Sequence, residues 1–405
     1  MTTFGTKLLF DLRDPLLQSD RYEYYRRLRE ADPIHHSPLG YWVLTRFDDC
    51  DAFLRAPGVS ANYTDDPEWV RVRGGPNSPI VRSTKRWMLT NDGAVHRRLR
   101  RLVARALTPA AVERLKPRIA AMINDMIDAM GDGEIDLING IALPLPVYVV
   151  CELLGIPIED AERCRHWTNT IADVVDPLVT PQMRIRMNRA EPEFRAYIGE
   201  RLRERRVHPR EDVLSMLLEP DADGEVMSEE DIVAQVLLLF NAGHETSVNV
   251  LGNGMFALLE HPEQLRLLQQ RPDLVDHSFE ELARFNSAVQ VLARRTTAAV
   301  TLGDTTIPAD SAVLVVLGAG HRDPEKYPDP DRLDITRPAT KSLAFGSGPH
   351  YCIAATLGRL EVVMAFQQLL QRYRTIELAS TDLEWFSHFT FLLGLKRLPL
   401  RVTFR

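Results

Sequence analysis

The sequence predicts a mainly α-helical fold with small β-sheets gathered at one side (α+β). Three observations predict it. Tyr22–Ala31, Gly93–Leu107, Ala110–Met130 and Ala190–Arg206 each space apolar residues as one helix face does, with charged residues between. A further run starts at a capping-box-like Ser228 and Asp231 and stops at His261-Pro262. Its 33 residues, Ser228 to Glu260, would span roughly 50 Å and cross the whole molecule. Strand-like alternation, by contrast, is confined to short segments near 40–45, 299–317 and 389–404.

Each element has a local reason. Gly40 to Thr45 is a β run after the turn at Pro38. Pro117 should kink or split the helix from Ala110, whereas Pro192 suits the first turn of the helix from Ala190. The most apolar stretch, Leu137 to Ile158, is interrupted by Pro144, Pro146 and Glu152 and reads as buried helix and turn, not a membrane span. Gly243 lies mid-way along the long helix, where glycine costs about 1 kcal/mol against alanine. Beside Glu245 and Thr246 it predicts a local helix distortion. Residues 299–317 alternate around Gly303-Asp304 and Pro308-Ala309-Asp310, a hairpin followed by a strand. No Gly/Ser- or Pro-rich linker divides the chain. One domain is therefore expected over 1–405, its β-containing lobe mainly 34–60, 295–335 and 380–405 and its helical lobe the rest.

Composition bounds the function. With 45% hydrophobic and 26% charged residues the chain is ordinary globular material. A net charge of −7 argues against nucleic acid as a partner. Cys50, Cys151, Cys164 and Cys352 are too few in 405 residues for a disulfide framework. The first residues carry too short an apolar stretch for a signal peptide. A cytoplasmic protein without a membrane segment, and a monomer, is expected.

Chemistry concentrates at Phe345-Gly-Ser-Gly-Pro-His-Tyr-Cys352-Ile-Ala-Ala, directly ahead of a helical run. Gly346 and Gly348 permit positive φ and close backbone approach. The following helix N-terminus can stabilise a thiolate. No second cysteine lies nearby, which excludes a Cys-x-x-Cys zinc site. Haem iron accepts one thiolate and leaves its opposite side open. For the thiol alone, a buried structural cysteine is an equal reading.

Three more patterns join it: Ala242-Gly-His-Glu245-Thr246 in the long helix, Glu281 and Arg284 at i,i+3, and His96 and Arg100 at i,i+4. With the segment from His321 to Arg332, these motifs resemble the cytochrome P-450 superfamily, specifically its soluble bacterial type. They occur in family order along nearly the whole chain. The family's ligand loop reads Phe-x-x-Gly-x-His-x-Cys-x-Gly, matched at Phe345, Gly348, His350 and Cys352 and departed from at Ala354.

The resemblance implies a cytochrome P-450 fold holding haem b between the long central helix and the cysteine loop. Cys352 would be the axial thiolate, whose electron donation favours O–O cleavage. Phe345 would shield it, with Gly346 and Ala354 in its loop; the Ala354 methyl bears on redox poise. Glu245 and Thr246 resemble the acid–alcohol pair that manages protons during O2 activation. Taken alone they read as a salt-bridged Glu and a Thr bonded back into its helix. His96, Arg100, Arg294 and His350 would meet the haem propionates. Arg294 is assigned by its fourteen-residue distance to Pro308, with Arg295 as a rival. Glu281 and Arg284 would form a buried brace with an arginine nearer the C-terminus, assigned to Arg332.

The chain is too short to carry its own reductase domain, so electrons from NAD(P)H would arrive through a separate ferredoxin and its reductase. Arg97, Arg101 and Arg105 share one face of the His96 helix. They read either as a solvated face or as the landing site of that acidic donor. Substrate would lie against Asn62–Leu89, the middle of the long helix, Val289–Ala293 and Ser387–Phe391. The residues singled out are Trp87, Leu238, Asn241, Ala242, Val291 and Phe391, with Met88 and Phe389 as further aromatic or apolar walls. The expected activity is insertion of one O2 oxygen into an apolar small molecule of bacterial specialised metabolism, free or tethered to a carrier protein. Oxidative coupling or desaturation on the same fold is the alternative enzyme, and a haem-binding sensor the alternative non-enzyme.

Overall fold

The structure, a computed structural model, describes residues 3–4, 7–8, 10–11, 14–176, 178–385 and 391–405. Its axis is the helix Glu229–Glu260, 32 residues capped by the Ser228 hydroxyl, which accepts from Asp231 N–H at 3.1 Å. Nineteen of its residues are buried, and the largest apolar cluster surrounds it. The helix stays regular through Gly243, so the expected distortion is absent. Gly243 serves packing instead: a β-carbon there would lie 3.4 Å from Val150 on the helix Pro144–Leu154.

Two other prolines behave differently from expectation. The helix Pro109–Met130 continues through Pro117. The helix Pro181–Val207 begins nine residues before Ala190, so Pro192 lies inside it, not in its first turn. Long amphipathic helices here carry one missing N–H each without breaking, because tertiary packing holds both flanks.

The sheets include the expected strand segments and add Ile34–His36, Val59–Ser60, Leu292–Thr296 and Tyr373–Leu378 to them. A five-stranded sheet has the spatial order Ile34–His36, Tyr41–Leu44, Ala312–Val315, Leu292–Thr296, Val59–Ser60. Only the pairing of Ala312–Val315 with Tyr41–Leu44 is parallel. Val300–Leu302 and Thr305–Ile307 make the expected hairpin. Tyr373–Leu378 and Pro399–Phe404 pair near the C-terminus, and Gly133–Asp136, unforeseen, completes that sheet. Among the described residues no helix is long and apolar enough to cross a membrane.

Candidate functional site

Cys352 closes a loop of its own backbone. Its N–H donates to the Phe345 carbonyl at 2.9 Å, and Gly346 N–H to the Leu343 carbonyl at 2.8 Å. Gly348 has φ +70°, and a β-carbon there would lie 2.1 Å from the Leu54 carbonyl oxygen, so only glycine fits. Ala354, by contrast, has φ −98° at the N-cap of the helix Ala355–Arg372. That backbone is ordinary for any residue, which is why alanine is accommodated where the family pattern has glycine. Cys50, Cys151 and Cys164 are buried, whereas Cys352 is partly exposed. Burial nevertheless pushes its thiol up, with the Ala354 N–H and the Arg100 guanidinium acting the other way. A group both accessible and desolvated faces an internal space. Phe345 stacks on Phe279 at 5.8 Å and meets Tyr351 edge-on.

A buried charge network braces this loop from behind. Glu281 and Arg284, on the helix Leu274–Phe285, form two parallel hydrogen bonds of 2.8 Å, both side chains nearly inaccessible. Arg284 also donates to the carbonyls of His321 and Pro330. The third member is Arg337, not Arg332: Arg337 Nε donates to Glu281 at 3.0 Å. Arg332 is 66% exposed and reaches only Asp334. The turn at Asp329, with φ +49°, aims Arg332 outward, while the carbonyls of Pro328, Asp329 and Arg332 accept from Arg337. His321 carries the brace to the loop, its Nε2 accepting from Leu343 N–H at 2.8 Å. That bond requires a neutral ring, and burial with Arg284 and Arg322 nearby holds the ring down to about 3.

Across the loop, cations converge. His96 is buried on the helix Gly93–Ala104, and its ring lies 4.2 Å from that of His350, tilted by 36°. Burial, His350 and Arg100 hold it down to about 4. His350 Nε2 meets Asp92 at 2.9 Å, a partner that the sequence reading missed. Arg294 is drawn down to about 10 by burial and bonds only its neighbour's carbonyl, Ala293. Arg295 points outward to Asp310, which separates the two rivals. Neither Arg100 nor Arg294 has an ion pair among the described residues.

The central helix opens at one point along its buried length. Ala242 is exposed although the helix is buried along most of its length on either side. Thr246 Oγ1 donates back to the Ala242 carbonyl at 3.1 Å. His244 Nδ1 meets the Phe240 carbonyl at 2.5 Å and its Nε2 meets Asn169 at 2.6 Å. Asn241 donates to the Thr168 carbonyl at 3.4 Å, a neighbouring helix, not its own backbone. Leu238 and Trp87 are buried in the main core. Val291 does not join this space: it packs with Tyr24, Tyr25 and Val316 in a separate cluster, which Phe391 also touches. Val291 precedes the strand Leu292–Thr296 and is buried in that cluster, whereas Ala293 within the strand is exposed. Met88 is buried; Phe389 and the rest of 387–390 lie outside the described residues. Glu361, also missed, is a fully buried carboxyl beside Ser247 whose proton is held well above the usual range by burial.

The family model for cytochrome P450 matches residues 153–404, more than half of the chain. The chain belongs to the cytochrome P-450 family. It is 37% identical to cytochrome P-450 107B1 of Saccharopolyspora erythraea, over 99% of both chains. It is 36% identical to the monooxygenase PikC of Streptomyces venezuelae, over 95% of this chain and 91% of that one. Among solved structures, CalO2 superimposes with a TM-score of 0.91 at 32% identity, covering 98% and 99%. P-450 BioI, solved with an acyl carrier protein bearing hexadec-9Z-enoic acid, does so at 0.89 and 30%, covering 96% and 100%.

This P-450 is a monooxygenase with haem-thiolate iron. Its residues fit that cofactor. A thiol, two desolvated guanidinia without anions, and two buried donors without acceptors, Tyr63 O–H and Trp87 Nε1–H, would suit one dianionic group with a metal that takes a single sulfur. The expected cationic landing face is less open than the sequence suggests. Arg101 is held by Asp221, Asp223 and Glu225, and Arg105 donates to the carbonyls of Met216 and Glu219; Arg97 stays exposed.

Proposed function

We propose that this P-450 hydroxylates or epoxidises an apolar polyketide- or peptide-like molecule of bacterial specialised metabolism. It does so in the cytoplasm, with electrons from NAD(P)H through a separate ferredoxin and its reductase. One observation carries the reading: Thr246 and Glu245 follow Ala242, which is exposed in the middle of an otherwise largely buried central helix, as a helix passing over a cofactor would require. The curated names support the substrate class, since PikC, the polyketide enzyme PksS of Bacillus subtilis and 6-deoxyerythronolide B hydroxylase are all relatives. A carrier-tethered substrate is a second reading, favoured by the relative solved with its acyl carrier protein.

Haem, when bound, supplies the iron at which O2, two electrons and two protons yield one inserted oxygen and one water. Cys352 supplies the thiolate, and the Ala354 N–H and Arg100 favour its charge. His96, Arg100, Arg294 and His350 would hold the haem propionates. The Thr246 hydroxyl can turn from the Ala242 carbonyl to hold a proton at the distal face, and the Glu245 carboxyl resupplies it. Thr246→Ala should keep NAD(P)H consumption but divert most of it to hydrogen peroxide. The loss of coupled product should be roughly ten- to a hundredfold, the scale of a positioned proton donor. Unchanged coupling in that variant would overturn the reading in favour of a non-inserting oxidation.

A further inference from the structure

Tyr63 stands apart from the cations described above, in the segment ahead of the helix Pro67–Val72. Its hydroxyl is buried and has no hydrogen-bond partner. A lone buried O–H costs about 1–3 kcal/mol unless something accepts from it. Burial pushes the hydroxyl up to about 12, against the pull of two cations that act on it, Arg73 and Arg294. Both are guanidinia, which only donate. Asp92, the carboxylate nearest in influence to Arg294, is already committed to His350, Ser60 and Ala61 N–H. Tyr63 and Arg294 therefore form a corner rich in donors and short of an acceptor.

We propose that Tyr63 donates its hydroxyl proton to the haem propionate that Arg294 holds, and so fastens the roof of the pocket to the cofactor. A carboxylate has room for both donors, with about four lone-pair positions. From Tyr63 a stack leads outward. Its ring lies 5.4 Å from that of Trp69, and Arg73 Cζ lies 4.4 Å over the same indole. Arg73 is buried and donates to the carbonyls of Val174 at 2.7 Å and Asp176 at 2.6 Å, in the connection between the helices Ala161–Ala172 and Pro181–Val207. Asn188 of the second helix donates to the Arg73 carbonyl at 3.0 Å. Tyr63, Trp69, Arg73 and the connection at Val174 and Asp176 thus form one continuous chain of contacts, to which the propionate would add its end. Tyr63 is a cofactor-binding residue and Arg73 a positioning residue.

The inference rests on Arg294 as a propionate partner, and the test separates the two. Tyr63→Phe, Arg294→Ala and Arg73→Ala holoproteins would be mixed with excess apomyoglobin to time haem loss. Release of 4-phenylimidazole would be timed by stopped flow, and the propionate bending band read by resonance Raman. Tyr63→Phe should lose haem roughly tenfold faster, the scale of one charge-assisted hydrogen bond, and shift the propionate band. Arg294→Ala should lose haem faster still. Arg73→Ala should keep the wild-type haem-loss rate while releasing 4-phenylimidazole several-fold faster. Wild-type haem loss and an unmoved band in Tyr63→Phe overturn the proposal, and a change in 4-phenylimidazole release alone would assign the hydroxyl to the substrate instead. Unchanged haem loss in Arg294→Ala would overturn the underlying propionate assignment as well.

Discussion

The two sides of the haem space are built to different standards. Behind Cys352 the backbone is over-determined. Gly348 is wedged on Leu54, the loop closes on its own carbonyls, and Glu281, Arg284, Arg337 and His321 are locked into one buried network. Over the opposite side, the helices Pro67–Val72 and Pro79–Thr84 are six residues each, and the connection above them is tied by the Arg73 guanidinium, the buried Val174 and the exposed Arg186–Asp173 pair. A metal ligand must stay within a few tenths of an ångström of one position, which demands redundancy. A substrate face has to let molecules pass, and few tie points suit it.

The difference can be tested, most severely at the brace. Glu281→Ala leaves Arg284 and Arg337 as uncompensated buried charges, which should cost about 3–5 kcal/mol. The protein is expected to accumulate poorly and to take up little haem; a variant with a wild-type melting temperature and haem content would erase the contrast between the two sides.

A milder probe is acid. His321 is neutral in the fold, its proton affinity held down to about 3 from an ordinary 6.5. Below 6.5 the unfolded chain takes up that proton and the folded one does not, so stability is present above that pH and drains away as pH falls toward 3. Urea melts between pH 7 and 4 should show this slope. His321→Asn should flatten it while lowering stability at pH 7, and an unaltered slope would remove His321 from the brace.

The smallest effect is expected where charges are numerous but wet. Replacing the more exposed Asp223 and Glu225 by alanine loosens the hold on Arg101 and leaves the nearly inaccessible Asp221 in place. The change in stability should stay within about 1–2 kcal/mol, and binding of an acidic ferredoxin should tighten at low salt. Weaker binding would mean that the donor docks elsewhere.

Much of this architecture is written locally. The Ser228 cap, the strand at Tyr41–Leu44, the hairpin after Val300 and the Cys352 loop all follow from residues within a few positions of one another. What sequence spacing misses are choices made across long separations. Arg337 was hidden because the turn at Asp329 decides which arginine faces Glu281. Arg101 and Arg105 look free until a segment more than a hundred residues away folds onto them. Asn241 pairs with a different helix, and Val291 is buried against Tyr24, Tyr25 and Val316, which lie far from it in sequence or beyond the hairpin. Pro117 and Pro192 sit inside helices because packing outweighs one lost hydrogen bond each.

Arg294 and Arg295 have one more consequence. Because neighbours on a strand face opposite ways, a slip of one residue would swap the inward guanidinium for the outward one. Twin arginines therefore make cofactor capture blind to that error: a misregistered sheet would still offer a cation to the interior. The alignment itself is set by the pairing of Val313 with Arg294 and Ala312 with Arg295, next to a Thr296 hydroxyl that donates to the Pro308 carbonyl at 2.6 Å and accepts from Ser311 N–H at 2.9 Å.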